Sequence, residues 1–210
     1  MTRAIALLLA AATLACQRLP PSTSPGSPPA PHASFASPFE ARAWGPRGRV
    51  RFRGLIAMDR GERLRAEIAA PTVTAPLVVV ASADGILVSL VSQRLYFKGE
   101  AGAPLLQEMA GVPLDVGAIP RLMDPAPAAP PSGCTTSRRS WRSLPDGAEV
   151  PATLLVRCGE SGFRLHLAEP RTLDAAGGVD PFSLEPPGGY REAALAELVD
   201  ALRGSARNDP

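Results

Sequence analysis

The chain has 210 residues, 45% of them hydrophobic and 20% charged, with a formal net charge of +2. That small charge is spread along the chain with no basic run interleaved with aromatics, which argues against a nucleic-acid partner. Only two histidines occur, His32 and His166, far apart in sequence, so no cluster of metal ligands is expected.

The N-terminus carries one basic residue, Arg3, and then a run rich in Leu and Ala from Ala4 to Ala15. A bilayer span needs ~20 apolar residues. The run is too short for that and matches the apolar region of a secretory signal, expected over residues 1–15. It closes on "TLAC", which resembles a bacterial lipobox. In such signals cleavage precedes the cysteine, here Cys16, which is then lipidated. Gln17 follows where an aspartate resembles the inner-membrane retention signal, so the expected location is the periplasmic face of the outer membrane. An ordinary signal peptide with an incidental cysteine, or an apolar anchor, are the alternatives. Residues 16–36 continue as a Pro/Ser-rich tether with too little apolar surface to offset the entropy of ordering it. The folded domain is expected over 37–203, with a tail at 204–210.

Period-two alternation dominates the first half of that domain. Val50, Phe52, Ile56 and Met58 share one side with Gly54, while Arg49, Arg51 and Arg53 take the other. After "DRGE", Leu64, Ala66 and Ile68 resume the apolar side, which predicts an antiparallel hairpin. Beyond "PTVTAP", the segment "LVVVASADGILVSLVSQRLYFKG" predicts three more short strands turning at Asp84-Gly85 and Ser92–Arg94.

Two short helices interrupt the strands. Leu105, Leu106, Met109 and Val112 form a helical stripe that stops near Gly111 and Pro113. Asp115 is placed to cap a second, poorer helix through Ile119, Leu122 and Met123. After a Pro-rich connection, "EVPATLLVRCGESGFRLHLAEP" predicts a hairpin with Leu154, Val156 and Cys158 facing Phe163, Leu165 and Leu167. Short strands are expected at Ser140–Leu144 and Asp180–Leu184, and a last helix through Leu195, Leu198, Val199 and Leu202. With Cys16 lipidated, Cys134 and Cys158 remain as a disulfide candidate in an oxidising compartment; a reactive or metal-binding thiol pair is the competing reading.

Eight to ten strands with three or four short helices predict a mainly β (α+β) fold. A sheet with one apolar face must be covered or close on itself. An unclosed antiparallel β-barrel or half-barrel, its open side plugged by the short helices, meets that requirement. Small residues on the inner face (Gly54, Ala66) leave room for a cavity, against the default of a filled core.

Three features in order, the lipobox and tether, the hairpin "RVRFRGLIAMDRGERLRAEIAAP", and "LLQEMAGVPLDVGAIPRLMDP", resemble the LolA/LolB-like lipoprotein-carrier family, in particular its outer-membrane receptor branch, LolB. The resemblance covers about residues 38–125. It implies a helical lid over an apolar cavity that holds the acyl chains of lipoproteins, received from a LolA-like periplasmic carrier and inserted into the outer membrane. By position the cavity would be walled by Val50, Phe52, Ile56, Ile68, Val78 and Val80, with Leu105, Leu106, Met109, Ile119 and Leu122 from the lid. Val73 in "PTVTAP" would occupy the membrane-insertion loop. The sparse aromatics (5%), the long Pro-rich connection and the cysteine pair depart from the family pattern. A non-catalytic envelope scaffold on the same fold is the alternative reading.

No enzyme motif is present: the chain has no GxSxG, HExxH or P-loop, and no paired carboxylates in an apolar setting. Neither catalysis nor a cofactor is expected. Arg51 and Arg53 read as a solvated strand face, with phosphate binding as the minor alternative.

Overall fold

The computed structural model describes residues 34–59, 62–69, 77–124, 129–144, 147–173 and 180–205. Six strands follow one another as a meander: β1 (Phe35–Gly45), β2 (Gly48–Asp59), β3 (Arg63–Ala69), β4 (Leu77–Ser82), β5 (Gly85–Leu90) and β6 (Leu95–Gly99). Helices α1 (Leu105–Ala110) and α2 (Ile119–Met123) come next. A second meander, β7 (Cys134–Ser143), β8 (Glu149–Cys158) and β9 (Ser161–Leu167), precedes the two-residue strands β10 (Arg171–Thr172) and β11 (Arg191–Glu192) and helix α3 (Leu195–Ser205).

The two meanders join through antiparallel pairing of β1 with β9, giving one 11-stranded sheet in the order β11-β6-β5-β4-β3-β2-β1-β9-β8-β7. β10 extends β9's side of the seam by pairing with the start of β1, and β11 runs parallel to β6. The terminal strands β7 and β11 do not pair with each other, so the barrel stays open. This is the mainly β, unclosed architecture expected from the alternation.

β1 was not foreseen, although it is the hinge of the topology. Its inner face is Phe35, Ser37, Phe39, Ala41 and Ala43, all buried, a clear period of two built largely from small residues. Pro38 makes the segment look like an unlikely central strand, because proline cannot donate to a ladder. The structure resolves the conflict locally. The Pro38 carbonyl accepts from Ala168 N (2.9 Å), so the missing N–H faces the gap where β10 gives way to β9, and pairing with β2 is undisturbed. The strand includes Phe35 and Ala36, inside the stretch read as tether.

Other expectations shift in detail. Ser140–Leu144 falls largely within the longer strand β7, and Asp180–Leu184 is not a strand. Phe182 instead packs on the outer face of the sheet with Ala57, Val80 and Leu87, under the Arg63 guanidinium at 4.8 Å from its ring centroid. Gly54 also has a use not foreseen: a side chain there would collide with the backbone of Glu67, so the missing Cβ admits β3.

Cys134 and Cys158, directly opposite each other on β7 and β8, form a disulfide. The inner face is one continuous apolar cluster drawn from both meanders and all three helices.

Candidate functional site

α1 and α2 lie on the inner face, where neither could stand alone. Helices of five or six residues are far below the ~12–15 needed for marginal stability in water. Burial of one side supplies the difference: Leu105, Leu106 and Ala110 of α1 and Ile119, Leu122 and Met123 of α2 are all buried. Each leucine so buried contributes ~1.5–3 kcal/mol. α1 ends on Gly111, whose φ of 76° lets its N–H turn back to the Gln107 carbonyl. The Asp115 carboxylate accepts from Gly117 N at 2.8 Å and so caps a short 3-10 turn, Val116–Ala118, that leads into α2.

Side chains from elsewhere pin both helices at their C-terminal ends. Arg47, in the β1–β2 turn, donates to the Glu108 carbonyl (3.3 Å) and pairs with the Glu108 carboxylate. Arg203 of α3 donates to the same carbonyl at 3.0 Å. Arg138 of β7 donates from Nε to the Leu122 carbonyl at 2.6 Å. Cations at free helix carbonyls are favourable electrostatically as well as through the hydrogen bond.

Between these helices and the sheet lies a small cavity of about 50 Å³. β1 contributes Phe39 and Ala41 to its wall, β2 Phe52 and Ile56, β3 Leu64, Ala66 and Ile68, β4 Leu77 and Val79, and β9 Phe163 and Leu165. Leu105, Leu106 and Met109 of α1 line its other side, with Val116 and Ile119. Every lining residue is apolar, so the wall offers no acid, base, nucleophile or metal ligand. What it can do is shelter hydrocarbon from water.

Of the residues predicted to wall a cavity, Phe52, Ile56, Ile68, Leu105, Leu106, Met109 and Ile119 meet there. Leu122 is buried in the surrounding core without reaching the cavity, and Val50 is half-buried at the core's margin. Val78 and Val80 are corrected: they point to the opposite face of the sheet, toward Phe182, while Leu77 and Val79 face the cavity. "LVVV" is apolar on both faces, so its alternation carries no information, and a shift of one residue exchanges the two sets. Phe39 and Ala41 were missed with β1; Phe163 and Leu165 were read as strand residues without a place on the wall. Cys16 and Val73 lie outside the described residues.

The outer face of the same sheet is polar at its β7–β2 end. There Glu40 accepts from Arg42 and Arg51, each at 2.8 Å, and these two guanidiniums hold its carboxyl down to a pKa of about 2. A groove of about 530 Å³ crosses this face, with Arg139, Arg157, Arg164 and His166 among its walls.

No protein-family profile and no curated protein matches this chain. Among solved structures, it is similar to a LolA superfamily protein from Nitrosomonas europaea at 10% identity and a TM-score of 0.47, covering 69% of this chain and 88% of that one. It is also similar to a domain assigned to outer membrane lipoprotein sorting, from Vibrio parahaemolyticus, at 9% identity and a TM-score of 0.45, covering 70% and 88%.

Proposed function

We propose that this protein binds acyl chains between the open sheet and the α1–α2 lid and delivers lipoproteins to a membrane without covalent chemistry. The wholly apolar wall of the cavity carries this reading. At about 50 Å³ the cavity is far below the ~300–1,000 Å³ of sites that hold a ligand of ordinary size. Cargo therefore requires the lid to lift.

The magnitudes permit such an exchange. Lifting α1 alone re-exposes Leu105 and Leu106, which costs roughly 3–6 kcal/mol at ~1.5–3 each. Burying six methylenes of an acyl chain returns about 5 kcal/mol at ~0.8 each. A chain of ordinary length thus offsets the opening with methylenes to spare, and an empty site recloses. The lid's attachments suit a reversible closure, because hydrogen bonds to helix-end carbonyls are readily exchanged for water.

In this reading Cys16 carries the lipid anchor, the chain sits on the periplasmic face of the outer membrane, and a LolA-like carrier supplies the cargo. The smallness of the cavity favours a second reading, a non-catalytic envelope scaffold with a permanently packed interior. Mass spectrometry of the full chain purified from membranes in mild detergent separates the two. Acyl cargo at a defined stoichiometry, reduced by Leu106→Asp in folded protein, supports the carrier; none in either protein supports the scaffold.

A further inference from the structure

The outer face of β2, β1, β9, β8 and β7 has a charge pattern that cavity binding does not explain. Strand register places Arg51, Arg42 and Arg164 side by side on three adjacent strands. The neighbouring row runs Arg53, Glu40, His166, Thr153, Arg139. On the other side, Arg49 and Arg157 flank Trp44 and Gly162. Glu40 is thus the only acid across these three rows. Its one carboxylate is shared by Arg42, Arg51 and Arg53, the last at 3.6 Å. Arg49, Arg139, Arg157 and Arg164 have no ion-pair partner among the described residues.

Like charges on directly opposed strands are destabilising. Glu40 offsets that cost for Arg42, Arg51 and Arg53 but not for the other four, and the row is largely in water, with Arg42 55% and Arg53 57% exposed. The side chains span five strands, roughly 20 Å at ~4.8 Å per strand. The described large hydrophobics most open to solvent, Leu55 (55%) and Trp141 (43%), both lie on this face, next along the strands to Arg53 and Arg139. A broad field of guanidiniums edged by an exposed tryptophan and leucine fits a headgroup layer: arginine takes phosphate oxygens in pairs, and tryptophan favours the membrane–water boundary.

We propose that this outer face docks on an anionic phospholipid bilayer, its arginines engaging lipid phosphates while Trp141 and Leu55 enter the headgroup layer. The cavity then faces away from the surface it rests on. The inference does not depend on acyl-chain binding, and it survives or fails separately.

Flotation of the full chain with phosphatidylglycerol-containing vesicles, against pure phosphatidylcholine vesicles, tests it. The apolar N-terminal run meets both vesicle types, so the difference between them reports the face. Binding is expected to favour the anionic vesicles and to fall with added salt. At about fivefold per arginine, the triple substitution Arg49→Ser, Arg157→Ser and Arg164→Ser should weaken anionic-vesicle binding on the order of 100-fold. Arg121→Ser, an exposed arginine of α2 on the lid side, should leave it unchanged. Trp141→Ser should weaken it further without changing the salt dependence. Equal binding to the two vesicle types overturns the proposal. So does unaltered binding by a triple variant with parental far-UV circular dichroism and Tm. Displacement by inorganic phosphate at concentrations that leave ionic strength constant would assign a discrete anion site and overturn it as well.

Discussion

A Cβ on Gly45, the last residue of β1, would collide with the carbonyl oxygen of Ala110 at the end of α1. The backbone of the sheet and the backbone of the lid are therefore in direct contact, and only glycine permits it. Gly45→Ala should lower stability by about 1–3 kcal/mol, the range for forcing extra volume into a packed site. Urea unfolding measures it. Gly188→Ala, where an added Cβ meets nothing within 4 Å, is the matched control and should be neutral.

Arg47 reaches from the neighbouring turn to the same helix, bonding the Glu108 carbonyl and carboxylate. The pair is partly exposed, so its removal should cost less than about 1 kcal/mol of global stability. Its effect should be local. In Arg47→Ala, amides of 105–112 should exchange with solvent faster while those of β1, β2 and β9 keep their protection. Equal acceleration in lid and sheet would show that α1 does not open as a separate unit.

The Cys134–Cys158 disulfide closes a loop at a sequence separation of 24 residues. Chain entropy assigns such a loop about 3 kcal/mol. The double variant Cys134→Ser, Cys158→Ser should lose about that much in urea unfolding and still fold, because β7 and β8 remain paired along their length.

Glu40 provides a pH signature. Its folded pKa is lowered from 4.5 to about 2 by hydrogen bonds from Arg51 and then Arg42. A group with a depressed folded pKa contributes stability that is fully present above the unfolded value and is lost as pH falls through the folded one. The parent should therefore lose part of its stability between about pH 4.5 and pH 2. Glu40→Gln should have a flatter profile in that window and show its full deficit at neutral pH. Parallel profiles for the two proteins would contradict the pairing.

Much of the fold was legible in local pattern, and the gaps have physical causes. β2 and β3 alternate arginine with large apolar residues, so both their strand character and their inward face could be read. The lid helices announced themselves through the stripe Leu105, Leu106, Met109, and Asp115 capped as its position suggested. β4 could be recognised as a strand but not oriented, because Leu77–Val80 is apolar on both faces and a covering segment bearing Phe182 sits on the outer one. β1 was hidden by Pro38, tolerated only through a long-range change of partner that no local window contains. Its absence also hid Phe39 and Ala41 from the cavity wall. The arginine rows became visible only with cross-strand register, since Arg42 and Arg164 are 122 residues apart yet adjacent in space.

Titration of the full chain with a fluorescent fatty acid tests acyl-chain binding most directly. The account predicts saturable binding of about one equivalent, with emission shifted to that of an apolar environment. Leu106→Asp should weaken it strongly, and Arg47→Ala should accelerate the association rate by loosening the lid. A folded protein that shows no saturable binding, with Arg47→Ala no different, would contradict the carrier reading and leave the interior a packed core.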